Sequence, residues 1–277
     1  MISRQTLINQ IKQKKSFLCV GLDTDIEKIP AFLRSYPDPV LEFNKRIIDA
    51  TRDLCVAYKP NAAFYESRGV TGLQSLVDTW KYLPKDCLNI IDAKRGDIGN
   101  TCDMYAKAFF DEDASGMSFD AITVSPYMGH DTVTSYLAYP GKWVILLALT
   151  SSAGSKDFQY LTTGQGYLYE TVIQTANTWA SPDRMMYVVG ATKSTEFTNI
   201  RKFAPDNFLL VPGVGAQGGS LADVCQYGMT KDCGLIVSSS RAIIYASNGE
   251  DFAEAARAEA LKVQQQMQVE LEKAGVI

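Results

Sequence analysis

The chain has 277 residues, 46% of them hydrophobic and 21% charged, and a formal net charge of −4 at pH 7. That is the composition of a globular protein with apolar mass for a real core, without the basic excess of a protein that lives on nucleic-acid phosphates. The longest apolar run, Trp143 to Leu149, falls far short of the roughly 20 residues that span a bilayer, so neither nucleic acid nor membrane is an expected partner.

The opening stretch MISRQTLINQIKQKKS is polar throughout; it reads as an N-terminal helix and not as a secretory signal. Short apolar runs then recur along the chain, each followed by a segment of helical period. Eight of them read as strands: Phe17–Asp23, Val56–Ala62, Leu88–Lys94, Ala121–Pro126, Trp143–Thr150, Met186–Thr192, Phe208–Val214 and Leu235–Ser240. The first helix between them starts at Pro39, with Leu41, Ile47, Ile48 and Leu54 near one face; others follow Gly99, Gly166, Ser194 and Gly218. A long Ala/Glu/Gln/Lys-rich helix, Glu250 to Lys273, ends the series.

Eight strand–helix units in strict alternation predict an α/β protein with a parallel sheet, and within about 250 residues the economical closure is a (β/α)8 TIM barrel. No linker or low-complexity segment interrupts it, so residues 1–277 are expected to form one domain. An open doubly wound sheet is disfavoured, because the turn after the first strand, GLDTDIEKIP, carries neither dinucleotide nor P-loop glycines.

Six cysteines lie scattered without a C-x-x-C pair, which predicts reduced, buried thiols in a cytoplasmic protein. The single histidine, His130, excludes H-E-x-x-H and three-histidine metal sites, and it reads as a loop or helix-cap residue. With no G-x-S-x-G elbow either, the chemistry must rest on Lys, Asp, Arg and backbone amides.

In a barrel of this kind the active site lies at the C-terminal ends of the strands. The polar residues there are Asp23, then Lys59 and Asn61, then Asp92 and Lys94, followed by Ser125, Thr150, Ser151, Thr192, Lys193, Gln217 and Arg241. Strand alternation puts Asp92 and Lys94 on one face, with Lys59 on the neighbouring strand and Asp97 just beyond the strand end. An isolated D-x-K is most simply a paired structural ion. Four alternating charges at one mouth cost several kcal/mol per ion in desolvation, which makes function the better explanation. PGVGAQGG (Pro212–Gly219) follows strand seven and opens a helix, and Arg241 follows strand eight. Glycine amides, a helix N-terminus and a forked guanidinium together predict a phosphate site.

The segments GLD (Gly21–Asp23), YKPNAAFYE (Tyr58–Glu66), DAKRGDIGNT (Asp92–Thr101), LTSSAGS (Leu149–Ser155), PGVGAQGG and that around Arg241 resemble the orotidine 5′-monophosphate decarboxylase family, most of all its longer bacterial branch. The likeness runs from about Phe17 to Ala246, and DAKRGDI is its most specific motif. It implies decarboxylation of orotidine 5′-monophosphate (OMP) to UMP and CO2, the last step of de novo pyrimidine nucleotide synthesis, with no cofactor and no metal. By the same resemblance Lys59, Asp92, Lys94 and Asp97 form the catalytic charge network, and Lys94 stabilises and then protonates a carbanion at C6. Asp23 and Asn61 would bind ribose or order the network, and Ser151 would contact the pyrimidine. Gln217 and Arg241 would hold the phosphate, with Gly215, Gly218 and Ser240 lining its loop. Asp97, Ile98 and Thr101 would reach the partner's site in a homodimer. Ser240 is a departure, since many relatives have glycine there.

Two other readings stand beside this one. Metal-dependent sugar-phosphate lyases share the D-x-K-x-x-D core, but they use Mg2+ with an acidic set from strand two, where this chain has Lys59. A catalytically silent nucleotide-binding protein would bind UMP without releasing CO2 from OMP.

Overall fold

Every residue from Trp143 to Leu149 is buried except Leu147, which is half-buried, as a strand covered on both faces requires. In the computed structural model, which describes residues 1–215 and 218–277, this strand is β5 of a closed parallel barrel. The others are β1 (Leu18–Leu22), β2 (Ala57–Pro60), β3 (Leu88–Arg95), β4 (Ala121–Val124), β8 (Met185–Val189), β9 (Leu209–Pro212) and β10 (Leu235–Ser239). Around the barrel the order is β1-β10-β9-β8-β5-β4-β3-β2, so the first and last strands pair and no edge is left open. The predicted (β/α)8 closure is the observed one.

Two further strands stand outside the barrel. β6 (Thr162–Thr163) and β7 (Gly166–Tyr167) pair antiparallel in the loop that follows β5. Two residues per strand carry no readable periodicity, which is why the sequence predicts eight strands and not ten among the described residues.

Strand boundaries shorten at the mouth. Asn61 leaves β2 to cap the helix Ala62–Glu66, accepting a hydrogen bond from the Ala63 amide at 3.1 Å. Thr192 and Lys193 belong to a 3-10 turn, Ala191–Glu196, with Lys193 Nζ 5.1 Å from the centre of the Tyr160 ring. The helix Pro39–Thr51 starts as expected, with Pro39 in its first turn and Asp38 accepting from the Leu41 amide at 3.0 Å. Its buried face is Val40, Phe43, Asn44, Ile47, Ile48 and Thr51. Leu41 is only half-buried, and Leu54 lies past the helix end, buried in the turn into β2.

The helix Arg4–Lys14 covers the end of the barrel opposite the site. The Trp143 indole, at the start of β5, donates to the Ile2 carbonyl at 2.8 Å. Lys14 Nζ donates to the Cys55 carbonyl, just before β2, at 3.0 Å. The helix Phe252–Lys273 packs on Pro39–Thr51, with Phe43 and Phe252 stacked at 4.9 Å between ring centroids. All six cysteines are buried and none forms a disulfide. Among the described residues no helix is long and apolar enough to cross a membrane.

Candidate active site

Parallel pairing of β1 and β2 sets Gly21 beside Lys59, and a bridge beyond the strand end sets Asn61 beside Asp92. This brings Lys59 Nζ to 2.9 Å from Asp92 Oδ2, while Lys94 Nζ lies 2.6 Å from Asp92 Oδ1. One carboxylate thus holds one ammonium on each oxygen. Asp23 closes the chain of charges from the other side, its Oδ1 4.0 Å from Lys59 Nζ and buried without a hydrogen-bond partner among the described residues. Lys59 and Asp92 are buried, whereas the Lys94 side chain is 50% exposed and opens toward the mouth.

Burial alone would neutralise both inner groups, raising an acid and lowering an amine. For Asp92 the two ammonium groups outweigh burial and hold its carboxyl well below the usual carboxylate range. For Lys59, Asp92 and Asp23 outweigh burial and raise the amine above its ordinary value. Asp92 and Lys59 are therefore both held in their charged forms although they are buried.

β3 is not regular where it delivers these residues. Its register with β4 shifts between Ile91 and Arg95, and Lys94 takes a φ of +48°. For a residue with a Cβ that left-handed conformation costs about 1–2 kcal/mol. Asp92 and Lys94 do meet, but through a kinked strand end and not the plain alternation read from the sequence. Thr123 on β4, buried and unremarked in the sequence, lies against this kink. Its hydroxyl donates to Asp92 Oδ1 at 2.9 Å and accepts from the Lys94 amide at 3.0 Å. The available signal was a lone hydroxyl within the apolar run AITV. Arg95, the next residue, forms an ion pair with Glu66 and stacks on Tyr105 at 5.3 Å.

Asp97 stands apart from the other three charges. Its Oδ1 accepts from the Ile98 amide at 2.9 Å, and its own amide donates to Thr132 Oγ1 at 3.1 Å. Among the described residues no ion pair joins it to Lys59 or Lys94 within the chain. Ile98 and Thr101, at the start of the helix Gly99–Phe110, are exposed, and so are Met104 on the same helix and Tyr127 and Met128 in the segment after β4.

Beside this network, a cavity of about 160 Å³ is lined by Asp23, Lys59 and Asp92, by Pro212 at the end of β9 with Gly213 and Val214 beyond it, and by Ser238–Arg241 at the end of β10. Gly215 and Gly218 both have positive φ, and the Gly218 amide donates to the Gly215 carbonyl at 2.9 Å. Gln217 lies outside the described residues. Ser240 Oγ is 3.4 Å from the Gly21 carbonyl, and Arg241, exposed, begins the short helix Arg241–Ile244. Ser151 follows β5, with its backbone packed so closely on Gly190 that a Cβ there would meet Ser151 N at 2.6 Å. His130 is exposed at the start of the helix Asp131–Leu137, away from this network.

A family model described as orotidine 5′-phosphate decarboxylase / HUMPS family matches residues 16–257. A relative from Flavobacterium johnsoniae named orotidine 5′-phosphate decarboxylase is 58% identical over 269 residues, spanning 96% of this chain and 97% of its own. One of the same name from Bacteroides fragilis is 57% identical over 274 residues, with 98% of each chain covered. The solved structure of Leishmania donovani OMP decarboxylase superposes with a TM-score of 0.78 at 35% identity, covering 96% of this chain and 99% of that one. Leishmania donovani UMP synthase superposes with a TM-score of 0.80 at 36% identity, covering 94% of this chain and 56% of that one.

Proposed function

The chain belongs to the orotidine 5′-phosphate decarboxylase / HUMPS family and is a carboxy-lyase of pyrimidine biosynthesis; we propose that it releases CO2 from OMP without a cofactor, through Lys94. The observation that carries this reading is the single carboxylate of Asp92 bonded to two ammonium groups, one buried and one open to the mouth. When the bond between C6 and the carboxylate breaks, its electron pair stays on C6, where the pyrimidine delocalises it poorly. A fixed ammonium stabilises that charge without reorganising, and then supplies the proton that makes UMP. Lys94 is left neutral and regains a proton from solvent through the open mouth.

The remaining residues are given the roles that the family resemblance implies. Arg241, Ser240, Gly215 and Gly218 hold the phosphate with Gln217, while Ser151 faces the base. Asp23 and Asn61 border the ribose side, Asn61 keeping its amide nitrogen for that purpose because its oxygen already caps a helix. Phosphate binding far from C6 provides energy for ordering the site. The sugar-phosphate lyase reading is disfavoured by charge: a divalent cation beside Asp92 would face the ammonium groups of both Lys59 and Lys94.

The exposed apolar side chains of Ile98, Met104, Tyr127 and Met128, on the segments that follow β3 and β4, support a homodimer in which Asp97 and Thr101 complete the site of the partner subunit. Six buried thiols without a disulfide fit a reducing, cytoplasmic setting.

The test is spectroscopic. Pure protein in chelator is mixed with OMP, and loss of orotidylate ultraviolet absorbance is followed. Decay to the UMP spectrum, unaffected by EDTA and slowed at least about 10²-fold by Lys94→Ala, is the expected result. A reaction that stops in EDTA would sink the cofactor-free scheme, and near-normal turnover of the alanine variant would remove Lys94 from its role.

A further inference from the structure

We propose that Thr123 is a positioning residue for the decarboxylation, holding Lys94 at both ends of its side chain. The inference rests on the reading of Lys94 as the proton donor. Thr123 projects from the middle of β4 and is 1% exposed, so no water competes for its hydroxyl. A hydroxyl has one proton to give and lone pairs to receive with. Here the proton goes to Asp92 Oδ1 at 2.9 Å, and a lone pair takes the Lys94 amide at 3.0 Å. The same Asp92 oxygen accepts Lys94 Nζ at 2.6 Å. Thr123 thus fixes the backbone end of Lys94 directly and its ammonium end through the carboxylate.

The conformation of Lys94 makes that double hold necessary. With φ at +48° and the β3–β4 register shifting between Ile91 and Arg95, the Lys94 amide has left the regular ladder. In β3 and β4 the ladder resumes only where Arg95 faces Val124. A side chain from β4 supplies the missing acceptor, and its hydroxyl accepts from the amide while donating to the carboxylate. Valine has the same shape and can do neither.

The experiment compares OMP turnover by the parent protein, Thr123→Val and Thr123→Ser, with folding checked by circular dichroism and thermal unfolding. Activity of the parent is the control for the underlying reading: a parent that does not decarboxylate OMP overturns that reading and this proposal with it, whereas the variants of an active parent test this proposal alone. With an active parent, Thr123→Val is expected to lower kcat roughly 10- to 100-fold with KM for OMP within about 3-fold, the pattern of a misplaced reacting group and not of lost substrate binding. Thr123→Ser, which keeps both hydrogen bonds, should hold kcat within about 3-fold of the parent. A folded valine variant with parental kcat overturns the proposal. So does a serine variant that falls as far as valine, because packing and not the hydroxyl would then be at issue. If valine yields no folded protein, Thr123→Ala is judged by the same criteria.

Discussion

Lys59 Nζ lies 2.9 Å from Asp92 Oδ2 with both side chains at most 10% exposed, whereas Lys94, on the other oxygen of the same carboxylate, is 50% exposed. The two lysines thus share a partner and differ in solvent. Removing Lys59 leaves a buried carboxylate with one remaining cation; removing Lys94 leaves the buried pair intact. Lys59→Ala is therefore expected to lose about 3 kcal/mol of stability, the low end for breaking a buried pair. Lys94→Ala should unfold near the parent's denaturant midpoint, since half-exposed ion pairs contribute little. Both should be nearly inactive. Urea unfolding of the two variants decides it, and equal losses would contradict the burial argument.

The same network fixes a pH prediction. Asp92 is depressed in the folded state, so its contribution to stability is complete above the ordinary carboxyl value near 3.9 and is lost only as pH falls below that toward its folded value. Lys59 is raised, so its contribution is complete below its ordinary value of 10.5 and is lost only as pH rises through a still higher one. Neither group changes charge between about pH 5 and 8. The substrate does, because the second ionisation of a phosphate ester lies near 6. An acid limb near pH 6 is thus expected in kcat/KM, which reports free enzyme and free substrate, and not from Asp92 or Lys59 in kcat. A kcat profile that falls between pH 5 and 8 and shifts when Lys59 is replaced by Arg would show that the network titrates after all.

Asp97 offers a test that needs no structure of the assembly. If it completes the partner's site, a Lys94→Ala subunit still lends a good Asp97, and an Asp97→Ala subunit keeps a good Lys94. Each homodimer is then inactive, yet a mixed dimer contains one site with both residues. Random exchange makes half the dimers mixed with one competent site in two, so mixing equal amounts should restore about a quarter of parental activity. No recovery after co-refolding or co-expression, with subunit exchange verified by mass, would place Asp97 in its own chain's site.

How much of this was legible in the sequence divides along physical lines. The eight barrel strands were, because a buried parallel strand must be apolar at nearly every position, as Trp143–Leu149 is. Lys59, Asp92 and Lys94 were too, because charges that end such strands stand out against them. The kink at Lys94 was not: a positive φ in a lysine has no composition signal, unlike one in glycine. Thr123 stayed hidden because a threonine in a strand is ordinary until its two hydrogen-bond partners are known. The hairpin of β6 and β7 is too short to show a period, and Asn61 looked like a strand residue because its capping role depends on where the chain turns.

Ser240 is the last departure from expectation to be tested, and it is tied to Gly21. A Cβ added at Gly21 would lie 2.6 Å from Ser240 Cβ and 2.9 Å from its Oγ, but 3.3 Å from its Cα. The side chain is therefore the main obstacle and the backbone a lesser one. Gly21 does not have positive φ, so alanine is compatible with its backbone and any cost comes from contact. Gly21→Ala alone should destabilise by about 1–3 kcal/mol, the usual cost of overpacking, and should raise KM by pushing Ser240 and Arg241 off the phosphate position. Ser240→Gly alone gives up a long hydrogen bond, 3.4 Å from Ser240 Oγ to the Gly21 carbonyl, but keeps the backbone amide through which this position would hold the phosphate, so KM should stay near the parent's. Combined, the two substitutions should recover most of the loss, giving a coupling of about 1 kcal/mol or more by double-mutant cycle. Urea unfolding and OMP saturation curves on the four proteins measure it, and simple additivity would show that serine at this position places no demand on β1.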